Sequence, residues 1–527
     1  MTAPDASIAR PPLTVIVLAA GEGSRMKSPA LPKVLHSFAG RSLLGHALAA
    51  TADLTAERTA VVIGHRRDEV AAQLAEIAPD AVPVVQDQQN GTGHAVRMAL
   101  EQLGADSPVT GIVLVLPGDA PLLSATTLAG LLDAHAASGA AATLLTSELA
   151  DPTGYGRVIR TGDPARPNSV LRVVEQKDAD PDELAVLEVS AGVYAFDAGP
   201  LHHAIGRLST DNAQGEEYLP EVVSIFVAEG REVRACTAPA EETAGVNDRL
   251  QLAAAHCGYN QRLLERHMRN GVRVIDPATC WVDAEVTLAP DVTLKPNVQL
   301  HGATRIEAGA VIGPDCTLTD TVVGAGSVLN RTVANQASIG ARVTVGPFAY
   351  LRPGTELADQ VHIGTYVEIK ASDIGVGSKV PHLSYVGDAS IGEHSNIGAA
   401  TVFVNYDGVH KHRSTVGDHA RTGADNMFVA PVEVGDGAYT AAGSVITSDV
   451  PPGALGVSRT PQRNVAGWVL RRRAGTASAA AAQAAVTADA ATSGETGPAA
   501  TGTPTPERDD PSGATQEQHG MSGSSTA

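Results

Sequence analysis

"VDAEVTLAPDVTLKPNVQLHGATRIEAGAVIGPDCTLTD", residues 282–320, carries an aliphatic side chain at every sixth position: Val282, Leu288, Leu294, Leu300, Ile306, Ile312 and Leu318. Six is neither the 3.6-residue period of a helix nor the two-residue alternation of a half-buried strand. It fits a parallel β-helix, in which each hexapeptide makes one flat side and a turn. Each aliphatic residue then points into a narrow shaft and stacks on its equivalent one coil away. The phase breaks and resumes at Ile339, Val345, Leu351, Leu357, Ile363 and Ile369. A third register runs through Val416, Thr422, Phe428, Val434, Thr440 and Ile446. Gly, Asn and Asp between these positions suit the corners. Such a scaffold can be inert, so the period alone assigns no activity.

The texture upstream is different. In residues 1–235, "LTVIVLAA" (13–20), "TAVVIG" (59–64), "GIVLVLPGD" (111–119) and "AATLLTS" (141–147) read as buried strands, separated by alanine-rich helical stretches such as 42–52 and 120–136. That alternation predicts an α/β sheet with helices on its faces. Residues 247–270 predict a connecting helix with Leu250, Ala254, Leu263 and Leu264 as its apolar positions and Gly271 as its stop. From about residue 475 the chain is alanine-, glycine- and threonine-rich with almost no large apolar residue, which predicts a disordered tail.

The 527 residues exceed one ordinary domain, and 38 basic against 58 acidic side chains give a net charge of −20. An acidic chain of this kind excludes broad nucleic-acid binding, which requires a basic surface, so any anionic ligand must be held by a local positive site. Cys236, Cys257, Cys280 and Cys316 lie far apart without metal-ligand spacing and read as reduced, packed thiols. No apolar run reaches the ~18 residues that span a bilayer. Only Arg10 stands close before the run at 13–20, and a working loop follows it, so a signal peptide is not expected and the cytoplasm is.

Two groups of residues carry chemistry. "LAAGEGSRMKSPALPK" (18–33) follows the first strand; Gly21 and Gly23 free backbone N–H groups to face a phosphate, Arg25 and Lys33 can neutralise a triphosphate, and Pro32 holds the Lys33 segment extended. "QDQQNGTGHA" (86–95) is a second glycine loop, and "LPGDAPLL" (116–123) sets Asp119 at a strand end, where a carboxylate can hold Mg²⁺. The second group interrupts the hexapeptides: "YLRPGTEL" (350–357), "VEIKAS" (367–372), "VPHLSYVGD" (380–388), "SNIGAATVFVNYDG" (395–408) and "KHRS" (411–414). There His382 is a suitable proton acceptor near neutral pH, and Arg352 and Lys370 could bind a sugar phosphate. His410 and His412 read as solvated corner residues.

With "DPTGYGRV" (151–158), "VVEQKDA" (173–179), "NAQGEEYLPEV" (212–222) and "GVNDRLQL" (245–252) also present in order, residues 13 to about 470 resemble the bifunctional N-acetylglucosamine-1-phosphate uridylyltransferase / glucosamine-1-phosphate N-acetyltransferase family. The resemblance implies a Rossmann-like nucleotidyltransferase domain over 1–246, a helical linker over 247–271 and a left-handed parallel β-helix acetyltransferase over 272–474, with the tail at 475–527. It implies that Leu18, Ala19, Ala20, Gly21, Lys33, Gln86, Gly91, Thr92, Gly156, Glu175, Ser190 and Asn247 line a UDP-sugar pocket. Asp119 and Asn247 would hold Mg²⁺, with Arg25 and Lys33 catalytic. On the β-helix it implies His382 as base, with Arg352, Lys370, Tyr385 and Asn396 at the sugar phosphate and Lys411 nearby. Ala399, Asn405, Tyr406, Ala424, Ala442 and Arg459 would lie along acetyl-CoA. The implied substrates are glucosamine 1-phosphate, acetyl-CoA and UTP, with no nucleic-acid or membrane partner. The implied product is UDP-N-acetylglucosamine, a precursor of peptidoglycan and other envelope polymers, and the implied assembly is a homotrimer.

The chain departs from the family pattern in places. The Arg25–Lys33 spacing is one residue longer than usual. Ser190 stands where an Asn usually contacts the sugar, Pro220 and Glu221 replace Thr and Asp, Ala424 replaces a Ser at the coenzyme, and Ala400 replaces a Gly. A weaker or altered sugar site is expected from Ser190, because a serine has one hydroxyl where an amide has an acceptor and two donors. The alternative enzyme is a sugar-1-phosphate nucleotidyltransferase whose β-helix is only regulatory or oligomerising; the non-catalytic alternative is a regulatory assembly protein descended from such enzymes.

Overall fold

The structure, a computed structural model, describes residues 11–492. The four strands read from apolar runs form at Leu13–Ala19, Arg58–Ile63, Ile112–Pro117 and Ala142–Glu148. Their sheet runs in the order Val233–Thr237, Ala142–Glu148, Glu188–Asp197, Ile112–Pro117, Leu13–Ala19, Arg58–Ile63, Val82–Val85. Glu188–Asp197 is antiparallel to both its neighbours, while Leu13–Ala19 is parallel to both of its own. Because helices cover both faces, the central strands are apolar on both sides. Ile16, Val113 and Val115 face one core with Val96, Ala99 and Leu100; Val15, Val17, Leu114 and Leu116 face the other with Leu44, Ala47, Leu128 and Leu131. The carboxyl ends of four parallel strands, 13–19, 58–63, 82–85 and 112–117, therefore open on one edge. Ligands bind at such an edge in open α/β sheets.

The hexapeptide region winds into three flat parallel sheets. Val282 pairs with Leu300 and Leu300 with Leu318; Leu288 pairs with Ile306, and Leu294 with Ile312. One coil is thus three hexapeptides, and each aliphatic residue sits directly over its counterpart. The break in phase has a simple cause: corners shortened by one residue, so that Ile306 pairs with Val323 and Leu318 with Ala334, after which the stack continues through Leu351, Ile369 and Val386. The third register follows an excursion between Val402–Val404 and Ser414–Val416, and the shaft is re-entered with Phe403 over Phe428, ring centroids 5.1 Å apart. Buried corner hydroxyls are satisfied between coils: Ser395 Oγ donates to Gly417 O at 2.7 Å and accepts from Ala420 N at 2.8 Å.

The connecting helix spans Arg249–Arg269, capped by Asp248, whose carboxylate accepts from Gln251 N at 2.8 Å. Leu263 and Leu264 are buried as expected, but Leu250 is 83% exposed and Ala254 is exposed, because the first turns of the helix pack through Leu252 and Ala255 instead. Its buried stripe includes Ala255, Asn260 and His267, and Asn260 seats it on the first coil by donating to Cys280 O at 2.8 Å and accepting from Val282 N at 3.0 Å. Cys280 and Cys316 are buried in the β-helix. A second compact unit begins at Thr460 and contains helices Trp468–Arg472 and Ala477–Thr492. The first part of the expected disordered tail is therefore helical, consistent with the high helix propensity of its alanines; residues 493–527 lie outside the described residues.

Burial lowers the pKa of His46 and of His267 to about 4. An unfolded histidine titrates near ~6.5, so between these values the unfolded chain binds protons that the folded chain does not, and stability falls as pH falls. Acidification from about pH 7 to about pH 5 is expected to cost about 2 kcal/mol per histidine. Urea unfolding at the two pH values checks this, and His46→Gln should remove roughly one histidine's share of the difference.

Candidate active sites

The sheet edge forms two adjoining cavities. One, of about 400 Å³, is lined by Leu18, Ala20, Gly21, Gln86, Gly91, Thr92, Asp119, Gly156, Glu175 and Ser190, together with Tyr194, Glu216 and Pro220 among others. The second, of about 330 Å³, shares Leu18, Gly21 and Asp119 and adds Ala19, Arg25, Lys33 and Asn247. Every residue expected at the UDP-sugar site thus lines one of the two, although they come from strand ends far apart in sequence.

The second cavity is built around one ammonium group. Lys33 Nζ forms a salt bridge with Asp119 Oδ2 and donates to Asn247 Oδ1 at 2.8 Å; Arg25 Nη2 donates to the same Asn247 oxygen at 2.8 Å. Asn247 is brought there by its neighbour, since Val246 N donates to Asp119 O at 2.8 Å. Gly23, at φ 65°, has the left-handed conformation that favours glycine, and an added Cβ would collide with Lys33 Cβ. Gly21 is different: a Cβ there would meet nothing, so its smallness matters only toward a ligand. In the 27–31 turn Arg66 Nη1 donates to Pro29 O at 2.7 Å, and Arg25 and Lys33 on either side of it both reach Asn247. Pro32 itself is extended, but Lys33–Leu35 that follows is a single 3₁₀ turn.

In the first cavity, Gln86 Nε2 donates to Gly91 O at 3.1 Å, and Thr92 Oγ1 accepts from Leu219 N at 3.0 Å, joining the glycine loop to the 216–220 segment. Burial, with Asp178 second, raises the pKa of Glu175. Ser190 is buried, and its Oγ lies 2.9 Å from the Tyr194 hydroxyl. Of the two replaced positions after Leu219, Pro220 lines the cavity, whereas Glu221 turns away to accept from Asn212 Nδ2 at 3.2 Å. Tyr194, Glu216 and Gln89, whose Nε2 donates to Ala20 O at 2.7 Å, were not predicted. Gln89 lies inside a motif that sequence reading singled out, while Tyr194 looks like any buried strand residue.

On the β-helix the expected residues lie along two columns. In the first, Arg352 is one coil below Lys370, and side-chain bonds join Lys370 and Asn405 through Asp388, although backbone pairing sets Lys370 opposite Gly387. Arg352 Nη1 donates to Glu368 Oε1 at 2.8 Å, Lys370 Nζ to both Asp388 oxygens at 3.0 Å, and Asn405 Nδ2 to Asp388 Oδ2 and, at 3.4 Å, to the Tyr385 hydroxyl. Burial pushes the Asp388 carboxyl up, but hydrogen bonds from Lys370 and Asn405, with the charges of Lys370 and Lys411, outweigh it and hold the pKa low. These counterions are absent from the expected residue set.

The second column begins at the exposed His382, whose carbonyl accepts from Ala400 N at 3.1 Å. Ala399 O then accepts from Asp425 N at 2.7 Å, Ala424 O from Gly443 N at 2.9 Å, and Ala442 O from Arg459 Nη1 at 3.0 Å. Of the residues expected along acetyl-CoA, Ala399, Ala424, Ala442 and Arg459 therefore mark one corner of successive coils, whereas Asn405 and Tyr406 do not. Ala400 has φ 59°, so its Cβ sits in a conformation that favours glycine, at a cost on the order of 1 kcal/mol. Asn396 pairs with Lys379 and Arg421 on neighbouring coils. Tyr406 opens the excursion loop, its hydroxyl donating to Gly408 O at 2.6 Å. His412 is not merely solvated as expected: it lies 2.7 Å from Asp407 through Nε2, and backbone N–H bonds from His410 and Val409 with that histidine hold the Asp407 pKa down to about 2.

A family model described as a MobA-like NTP transferase domain matches residues 15–180. The Bifunctional protein GlmU of Streptomyces avermitilis is 57% identical over 475 residues, covering 90% of this chain and 97% of the relative. The chain belongs to the GlmU family. The GlmU proteins of Kineococcus radiotolerans, 57% identical over 473 residues with 90% and 95% covered, and of Corynebacterium efficiens, 52% identical over 491 residues with 92% and 98% covered, extend the match. This is the bifunctional uridylyltransferase and acetyltransferase family that the motifs resemble. The matches cross both the sheet domain and the β-helix, which favours a two-reaction enzyme over a nucleotidyltransferase with an inert β-helix.

Gly23→Ala is expected to displace Lys33 and lower uridylyl transfer at least about tenfold, equivalent to about 1.4 kcal/mol of barrier. Acetyl transfer measured on the same preparation should be unchanged, which separates this effect from misfolding.

Proposed function

We propose that the 272–474 region acetylates glucosamine 1-phosphate with acetyl-CoA, and that the 1–246 region transfers UMP from UTP to the resulting N-acetylglucosamine 1-phosphate, the helix of 247–271 joining them. What supports the proposal is the presence of two separate cation pairs, Arg25–Lys33 and Arg352–Lys370, on different scaffolds of one acidic chain, each suited to a phosphorylated ligand. Its product, UDP-N-acetylglucosamine, supplies envelope polymers such as peptidoglycan.

At the sheet edge the reaction needs no protein nucleophile. A phosphate oxygen of the sugar attacks the α-phosphorus of UTP, a new P–O bond forms, the bond to the β-phosphate bridge breaks, and pyrophosphate leaves. The chain's contribution is alignment and charge neutralisation. Gly21 leaves open space at the loop, Gln86 and Thr92 hold the second loop in shape, and Arg25 and Lys33 meet the negative charge that develops. Asp119 and Asn247 would hold Mg²⁺. They fit, because both are hard oxygen donors and both converge on one cationic atom, Lys33 Nζ. When bound, Mg²⁺ supplies further neutralisation of the phosphates.

On the β-helix the amine nitrogen of glucosamine 1-phosphate attacks the thioester carbonyl. A C–N bond forms, the C–S bond breaks, CoA leaves as the thiolate, and His382 takes the amine proton. Arg352 and Lys370, with Tyr385 and Asn396, hold the sugar phosphate. The corner column from Ala399 to Arg459, flanked by Asn405 and Tyr406, takes the coenzyme. A homotrimer is supported by the exposed apolar side chains beside His382: Phe348 and Tyr366, stacked at 5.3 Å, with Tyr350 and Leu383. Among the described residues no helix is long and apolar enough to cross a membrane. We place the reactions in the cytoplasm, where both activated donors are made.

The purified full chain supplied with glucosamine 1-phosphate, acetyl-CoA, UTP and Mg²⁺ should release free thiol and pyrophosphate, followed separately. His382→Ala should lower thiol release by about 10²–10⁴-fold, the range for a general base, while pyrophosphate release from added N-acetylglucosamine 1-phosphate persists. Chelation of Mg²⁺ should stop pyrophosphate release and spare thiol release. Absence of both products from the wild-type chain would overturn the proposal.

A further inference from the structure

In the sheet-edge cavity Ser190 is paired with a second hydroxyl, that of Tyr194, to which the family resemblance gives no role. Tyr194 is 2% exposed, its ring stacked on Phe196 with centroids 5.4 Å apart. Its hydroxyl lies 2.9 Å from Ser190 Oγ, and Gly192 N donates to the same oxygen at 3.3 Å. Ser190, Gly192 and Tyr194 all line the cavity that also holds Glu175. The register of Glu188–Asp197 against Ala142–Glu148 shifts between Ser190 and Tyr194, and Gly192 there has φ 72°. Irregularities of this kind re-aim side chains next to active sites.

A serine oxygen has two lone pairs and one hydrogen. Either hydroxyl of the pair can be the donor; when the Tyr194 phenol donates, together with the Gly192 amide, the serine's acceptor capacity is filled and its own hydrogen is left for the cavity. Tyr194 has this orientation available because its ring is fixed by Phe196 and its hydroxyl has Ser190 as neighbour. We infer that Tyr194 is a positioning residue that holds Ser190 as a hydrogen-bond donor to the acyl carbonyl of an N-acylated hexosamine 1-phosphate, and so selects that sugar over the free amine. The inference rests on the proposed uridylyl transfer and deepens it. An amide carbonyl accepts a hydrogen bond; an ammonium group offers only donors and leaves the serine hydrogen unpaired. A site built to hydrogen-bond a substrate group discriminates against the analogue that lacks it. On this view the Ser190–Tyr194 pair together supplies what an asparagine amide supplies alone, so the replacement at 190 is compensated by the residue beneath it.

The test compares N-acetylglucosamine 1-phosphate with glucosamine 1-phosphate as acceptors for UTP, using the full chain with Mg²⁺. Tyr194→Phe keeps the ring and removes the hydroxyl. It should lower kcat/KM for the acetylated sugar about five- to tenfold, chiefly through KM, while changing that for the free amine less than about twofold and leaving the KM for UTP unaltered. In a Ser190→Ala background, Tyr194→Phe should add no further loss, because its effect passes through the serine. Ser190→Asn should restore the Tyr194→Phe enzyme, the amide bringing its own donors. Equal losses on both sugars, no loss on either, or an additional loss in the Ser190→Ala background would each overturn the inference. Acetyl transfer by the same preparations reports folding. If the wild-type chain releases no pyrophosphate from UTP with the acetylated sugar, it is the uridylyl-transfer reading that has failed, whatever the variants do.

Discussion

Parallel stacking of the coils governs the C-terminal half of the molecule. Each coil places an apolar side chain directly over the one below, as Val282, Leu300 and Leu318 do and as Phe403 and Phe428 do further along. Full burial of such a side chain contributes roughly 1.5–3 kcal/mol, and the gain repeats at every side of every coil. A polar residue buried in the coils can be satisfied by the neighbouring coil, as Ser395 is. The sheet domain is tied to this stack at its base. Asn260 bonds the linker helix to Cys280 and Val282, Ala284 N donates to Ala39 O at 3.0 Å, and Arg41 Nε bonds Glu285 at 3.0 Å.

Regularity of this kind makes departures informative. The Asn405–His412 excursion and the outward cations Arg352 and Lys370 occur within a few coils of His382. None helps to fill the shaft. Each costs something in a structure that elsewhere repeats, whether a loop or a charge that must be neutralised by Glu368 or Asp388. The proposed acetyl-transfer site is where the scaffold stops being a scaffold. The sheet edge works differently. There the strand ends are unavoidable, and function lies in which loops they carry. Lys33, Asp119 and Asn247 come from three distant segments and meet around one ammonium group.

Several features were legible beforehand because they are periodic or local. The six-residue repeat gave the coil, the apolar runs gave four of the sheet strands, and the glycine loops fell at strand ends. Other features were not. Val82–Val85 and Val233–Thr237 are short and mixed in character, and the antiparallel strand Glu188–Asp197 contains a glycine at a register shift, so none of the three has a clean apolar pattern. Leu250 and Ala254 had the right spacing for a buried stripe, but the first turns of their helix pack through Leu252 and Ala255 instead, which leaves Leu250 and Ala254 exposed.

What the sequence determined by itself was the pair of scaffolds, the motifs they carry and the family, because hydrophobic period and motif order are properties of the chain read in one dimension. What only tertiary structure decided was pairing: that Arg352 and Lys370 are matched by Glu368 and Asp388, that Glu221 turns from the cavity while Pro220 stays, and that Tyr194 lies against Ser190. Hydrogen bonds and ion pairs act over about 3 Å. Which groups come within that reach is set by the packing of segments distant in the chain, and no local pattern records it.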